Sequence, residues 1–225
     1  MGQPIERCRV NPGSTVHSFH QQLAWSGDLS DEPAWVDFYR AIWPDMISCV
    51  RLDGKSDLQL AGVDRVIYRA NGLREFRIDE KKRKKDYGDI ALEVWDQVPL
   101  GKFDGARVLP GQWKRGWAVD PKKVCDFVVY AILPSQRAYL LPFELLRLTM
   151  VRWLPTWKAD GTKYPKAARN RDYWTINVAV PWSVLNTAMT DTMTMRFGGS
   201  ELTLPEPVTT AMQTTFSWPG PPGRV

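Results

Sequence analysis

The chain contains only two histidines, His17 and His20, and three cysteines, Cys8, Cys49 and Cys125, with no Cys-x-x-Cys pair. An odd, widely spaced cysteine set excludes a disulfide framework. Two histidines three residues apart with no third ligand nearby exclude a recognisable zinc site. Cys49 and Cys125 stand in apolar runs and read as buried thiols. A cysteine nucleophile would need a basic partner that neither histidine is placed to supply. The patterns GxxxxGK[ST], GxGxxG and GxSxG are absent, so there is no phosphate loop, dinucleotide fingerprint or nucleophile elbow. No apolar run approaches the roughly 18–20 residues of a membrane helix. The opening MGQPIERCRVNPG lacks the apolar stretch of a secretory signal, and Glu6 stands where a myristoylated Gly2 would need Ser or Thr. There is no internal repeat. These absences point to a soluble, cytoplasmic protein without a membrane partner.

What remains is an ordinary globular composition. The chain has 225 residues, 44% hydrophobic and 24% charged. That is enough for one domain, or one domain and a tail, with a sizeable core. The formal charge of +5 is a mild bias toward polyanions, and tryptophan is abundant at 11 residues.

Residues 1–29 read as an irregular polar segment. Ser30, Asp31 and Glu32 before Pro33 mark a helix start; Trp35, Tyr39 and Ile42 give it an apolar face, and Pro44 ends it. Strands are expected over 46–52, 59–69, 73–82 and 89–97, with turn pairs at Asp53-Gly54 and Asn71-Gly72. The order is one helix followed by an antiparallel meander. Residues 98–123 read as loop. Residues 124–133 form the most apolar strand, expected at the centre, followed by a strand at 138–141. A helix over 143–154 is expected to stop at Pro155. A basic, aromatic stretch follows over 157–173, then a strand over 175–180 and a short helix over 182–189. Residues 190–225, rich in Thr, Gly and Pro, read as a tail. The main domain is thus expected over 30–189.

The chemistry concentrates on the third strand, Phe76-Arg77-Ile78-Asp79-Glu80-Lys81-Lys82-Arg83. Alternation puts Arg77, Asp79 and Lys81 on one face and Phe76 and Ile78 on the other. A hairpin turn centred at Asn71-Gly72 places Asp64 of the second strand directly opposite Asp79, on the same face. Two carboxylates and an ammonium then converge. Two carboxylates suit a hard cation such as Mg²⁺, and the lysine can stabilise charge on a phosphate. Most strand acids beside lysines are solvent-facing ion pairs of little consequence, so the matching position of Asp64 carries the argument.

A helix and three strands, with Gly62-Val63-Asp64 on the second and Asp79-x-Lys81 on the third, resemble the PD-(D/E)xK nuclease superfamily. The segment IDEKKR…YGDIALEVW…GW…DFVVY is also similar to phage and bacterial proteins of that superfamily. The resemblance covers roughly residues 30–135. It implies an α/β, restriction-endonuclease-like core in αβββ(α)β order, with a mixed central sheet flanked by helices. It also implies metal-dependent cleavage of DNA, more readily as an endonuclease, and allows a homodimer. By the same resemblance Asp64, Asp79 and the carbonyl of Glu80 would hold Mg²⁺, with Mn²⁺ substituting, and Lys81 would be the catalytic lysine. Val63 stands where the family has proline, and Glu80 stands where it has an apolar residue. The latter opens a competing motif, Glu80-x-Lys82, one residue out of register.

Glu93, inside the apolar run of the fourth strand, is a further catalytic candidate: a third carboxylate at the metal, or a partner of Lys81 or Lys82. Asp37 or Glu32 of the first helix could add another acid. For nucleic acid, the candidates are the run Lys82, Arg83, Lys84 and Lys85, just after the motif, and Lys114 and Arg115 beside Trp113 and Trp117, with Lys122 and Lys123 following. Bases and aromatics mingle again over 157–174. Interleaved aromatics can stack nucleobases or simply anchor a core. The alternative to an enzyme is an inactive nucleic-acid- or protein-binding module on a nuclease-like fold, encoded by a phage and working in the host cytoplasm.

Overall fold

The computed structural model describes residues 33–52, 56–70, 75–105, 107–135, 137–159, 163–196 and 212–215. Helix α1, Pro33–Ile42, begins on the proline and ends before Pro44. Trp35, Phe38 and Tyr39 make its buried stripe. Strand β1, Met46–Arg51, follows. The strand expected over 59–69 is divided: Ser56 caps a short helix α2, Asp57–Leu60, by accepting from the Gln59 N–H. Gly62 then turns the chain at φ +86°, and the strand proper, β2, is Arg65–Arg69.

Strand β3, Glu75–Arg83, pairs antiparallel with β2, with Arg65 opposite Ile78 and Tyr68 opposite Glu75. That register, extended by one residue, sets Asp64 opposite Asp79. The turn pairs at Asp53-Gly54 and Asn71-Gly72 lie outside the described residues.

The meander ends at β3. Strand β4, Asp89–Pro99, leaves for a second sheet with β5 (Lys114–Arg115), β8 (Lys163–Arg169) and β9 (Tyr173–Pro181), in the order β5-β4-β9-β8. The second neighbour of β3 is β6, Phe127–Ile132, which runs parallel to it. Strands β7 (Arg137–Pro142) and β10 (Met212–Thr215) complete a mixed six-stranded sheet in the order β1-β2-β3-β6-β7-β10. Strand β6 is central and almost wholly buried, as its apolar sequence requires. Apart from a 3-10 turn at Leu100–Lys102, the connection from β3 to β6 among the described residues is this β4–β5 excursion rather than a helix.

The protein is therefore a mixed α/β fold whose mixed sheet is flanked by helices. On one face α1 packs Trp35, Phe38, Tyr39 and Trp43 against Ile67, Ile78, Val129 and Leu140. On the other face the second sheet, through Ile90, Leu92, Val178 and Val180, joins helices α3 (Phe143–Ala159) and α4 (Trp182–Arg196) over Val66, Val128 and Leu141. Helix α3 does not stop at Pro155 but carries it inside. Proline removes a donor there, yet the next turn buries Trp157 completely. Helix α4 runs past the expected boundary at 189. Its threonines are tolerated because Thr187, Thr190, Thr192 and Thr194 each return their hydroxyl to the carbonyl four residues back. Strand β10 likewise brings part of the expected tail into the sheet. Residues 1–32, 197–211 and 216–225 lie outside the described residues. No helix among the described residues is long and apolar enough to cross a membrane.

Candidate active site

Asp64, Asp79 and Lys81 meet where β2 and β3 part. Beyond Ile78 the β2–β3 ladder ends, and residues 79–83 pair only with β6. Asp64 bridges the gap: its N–H donates to the Ile78 carbonyl at 2.8 Å, and its Oδ2 accepts from the Glu80 N–H at 2.8 Å. Lys81 Nζ donates to Asp79 Oδ1. The second Asp79 oxygen, Oδ2, is buried without a hydrogen-bond partner. An orphaned carboxylate oxygen in a protein interior is costly unless something cationic completes it. Lys81 lies over the Trp117 ring at 5.5 Å, and its side chain is 27% exposed. The group thus reaches solvent through Lys81 and the half-buried Asp64.

The electrostatics follow from this crowding. Burial first, and then the charge of Asp79, lift the Asp64 carboxyl from 3.8 to about 6. Burial alone would lower the Lys81 ammonium, but Asp79, Asp64 and Glu93 outweigh it and hold the lysine charged.

Glu93 arrives from β4 and the loop after β5. The Trp117 N–H donates to its Oε1 at 3.3 Å, and Gly116 is pressed so closely on it that a Cβ there would sit 2.4 Å from the Glu93 carbonyl carbon. Burial first, and then Asp96, raise its carboxyl to about 7. Among the described residues no hydrogen bond or ion pair joins Glu93 to Lys81, and Lys82 turns to Glu80 on the other face. Glu93 acts on Lys81 through space only.

No protein-family model, curated protein or solved structure matches this chain. The chemistry of the site is therefore read from its own geometry. Among the described residues no group of three or more His, Cys, Asp or Glu side chains is placed to hold a metal ion. The smaller donor set of Asp64, Asp79 and water does fit a hard cation such as Mg²⁺, which commonly takes one or two carboxylates and keeps its waters. The unpartnered Asp79 Oδ2 is the observation behind that fit.

The competing pair Glu80 and Lys82 faces the other way. Glu80 Oε1 accepts from Arg65 Nε at 2.9 Å and from the Tyr39 hydroxyl at 2.7 Å, and its Oε2 from Lys82 Nζ at 3.0 Å. Lys82 lies over Trp35 of α1, and its side chain is only 2% exposed. It does not belong to the exposed basic run. Arg83 also turns inward, pairing with Asp89 Oδ1 at 2.7 Å and stacking on Tyr87. Lys84 and Lys85 are exposed, as are Lys114 and Arg115. Lys114 is tied to Asp96 at 2.8 Å.

Asp37 is exposed on α1, paired with Arg40, and α1 packs on the Ile78 face of the sheet, opposite the face that carries Asp79. Glu32, His17, His20 and Cys8 lie outside the described residues. Trp157 is core rather than a stacking platform. Tyr39 and Arg65 as partners of Glu80 were not foreseen from the sequence. The one local signal was an arginine immediately after Asp64, just ahead of the apolar pair Val66-Ile67.

Proposed function

We propose that this chain is a Mg²⁺-dependent deoxyribonuclease with a restriction-endonuclease-like core, acting on DNA in the cytoplasm, and more readily as an endonuclease. The observation that carries the reading is the meeting of Asp64, Asp79 and Lys81 at the frayed end of the β2–β3 hairpin, with one Asp79 oxygen buried and unpartnered. The helix, the three antiparallel strands and a fourth strand parallel to the third support the fold part of the proposal.

Asp64 and Asp79 would hold the cation. When bound, it supplies polarisation of the phosphate and a more acidic water. The protein's own residues supply the rest. Lys81 stays charged beside three acids and donates to a non-bridging phosphate oxygen, where charge grows during displacement. The Glu80 N–H orients Asp64. Glu93, with a carboxyl near 7, can take up or release a proton at neutral pH. The exposed Lys85 and Arg115 would contact the DNA backbone.

The test is cleavage of double- and single-stranded circular DNA in Mg²⁺, Mn²⁺ or EDTA, with Asp79→Asn and Lys81→Met beside wild type. Metal-dependent cutting lost in both variants is expected. Cutting retained by both would sink the assignment. One observation favours a second reading, an inactive nucleic-acid-binding module: Lys81 already neutralises Asp79. That reading is what remains if the protein binds DNA in a salt-dependent way and yields no product from either circular or linear substrates.

A further inference from the structure

Strand β3 carries two overlapping acid-x-Lys motifs, Asp79/Lys81 and Glu80/Lys82, on opposite faces. Sliding the strand by one residue would exchange them. The apolar pattern does little to forbid this. Both faces of the sheet are covered by apolar cores, so Ile78 would find an apolar setting on either side. The ladder to β2 also ends at Ile78, just before the motif. The neighbour that remains, β6, is apolar on both faces.

What distinguishes the two faces is the pair waiting on one of them. Arg65, 4% exposed, and Tyr39, fully buried, converge on Glu80 from β2 and α1. Aspartate at this position would be one methylene too short, and lysine would meet a buried guanidinium. We infer that Arg65 and Tyr39, with Glu80, are a register key: positioning residues that fix which acid-x-Lys pair faces the site. In this register the Glu80 N–H points away from β6 and donates to Asp64 Oδ2. A buried polar group that sets register at a cost in stability has its precedent in coiled coils. For its link to activity the inference rests on the nuclease reading; its structural part does not.

Two variants separate the key from mere stability. Tyr39→Phe/Arg65→Met removes the key and leaves both motifs in place. Adding Glu80→Leu and Lys82→Met restores unambiguous alternation, Phe76-Ile78-Leu-Met against Arg77-Asp79-Lys81-Arg83, while leaving the main-chain carbonyl of residue 80 in place. The readouts are the β3–β6 register, taken from interstrand amide contacts by NMR, and kcat separately from KM. In the wild type Lys81 stands opposite Tyr130. The double variant should show Lys82 opposite Tyr130 in most of its molecules and lose at least tenfold in kcat with little change in KM. The fourfold variant should restore the Lys81 pairing and bring kcat to within about threefold of wild type. A double variant that fails to fold beside a fourfold variant that folds in the wild-type register reads the same way.

The wild-type register and kcat retained by the double variant would overturn the inference. So would a fourfold variant in the wild-type register with no recovered kcat, since the charges themselves would then matter. If wild type cuts nothing, the nuclease reading fails, and the β3–β6 register alone still decides the key.

Discussion

Replacing Asp64 by asparagine should make the metal-free protein more stable while destroying its response to metal. Asparagine keeps an oxygen for the Glu80 N–H and removes a charge that burial and Asp79 both oppose. The carboxyl is raised in the folded state from 3.8 to about 6. A raised carboxyl leaves stability intact below its unfolded value, and stability is lost as pH climbs through the folded one. The wild-type protein should therefore lose stability between about pH 4 and 6 and stay burdened above that. At about 1.36 kcal/mol per pH unit the full effect is about 3 kcal/mol, and partial solvation of a half-buried group brings it to roughly 1–3 kcal/mol. For a chain of this size that is a rise in melting temperature of several degrees, at about 2–4 °C per kcal/mol. The assay is thermal unfolding in EDTA at pH 4 and pH 8, repeated with Mg²⁺. Asp64→Asn should melt above wild type at pH 8 and level with it at pH 4. Mg²⁺ should raise the wild type alone. A variant that melts lower than wild type by the same margin at both pH values would show that the carboxylate is not held against its own charge, and the argument for a cation would fall with it.

Three further outcomes are expected. Gly116→Ala drives a methyl to within 2.4 Å of the Glu93 main chain and should cost about 1–3 kcal/mol by overpacking, whereas Gly101→Ala, with nothing within 4 Å, should stay within about 0.5 kcal/mol in the same denaturant titration. The stem and Nζ of Lys123 lie across the bare Cα of Gly62, two residues before Asp64. Lys123→Met should therefore lower the salt dependence of DNA binding in EDTA by about one phosphate contact, while Lys122→Met, of equal charge, should not. Burial first, and then Asp79, push the Cys125 thiol up to about 12. In a Cys8→Ser background it should alkylate at pH 8 on the order of a thousandfold more slowly than the same residue in urea, by mass spectrometry.

Much of the site was legible in the sequence because two local rules sufficed. Alternation along β3 separates Asp79 and Lys81 from Ile78, and counting equally along both strands of the hairpin brings Asp64 opposite Asp79. Helix α1 and the central place of β6 follow just as directly from an apolar stripe and an uninterrupted apolar run. Other features depended on partners far away in the chain. Strand β4 has the same alternation whether it continues the meander or founds a second sheet; packing against β9, far later in the chain, decides it. That choice delivers Glu93 to the Trp117 loop instead of pairing it with a lysine. In the same way KKRKK is uniformly basic as a string, but α1 and β2 draw Lys82 inside to Glu80, and Asp89 draws in Arg83. Sequence determined which groups share a strand face, since a strand's period is set by its backbone. Only tertiary structure decided which of those faces meets solvent, an ion partner or another sheet, because that depends on contacts no local pattern encodes.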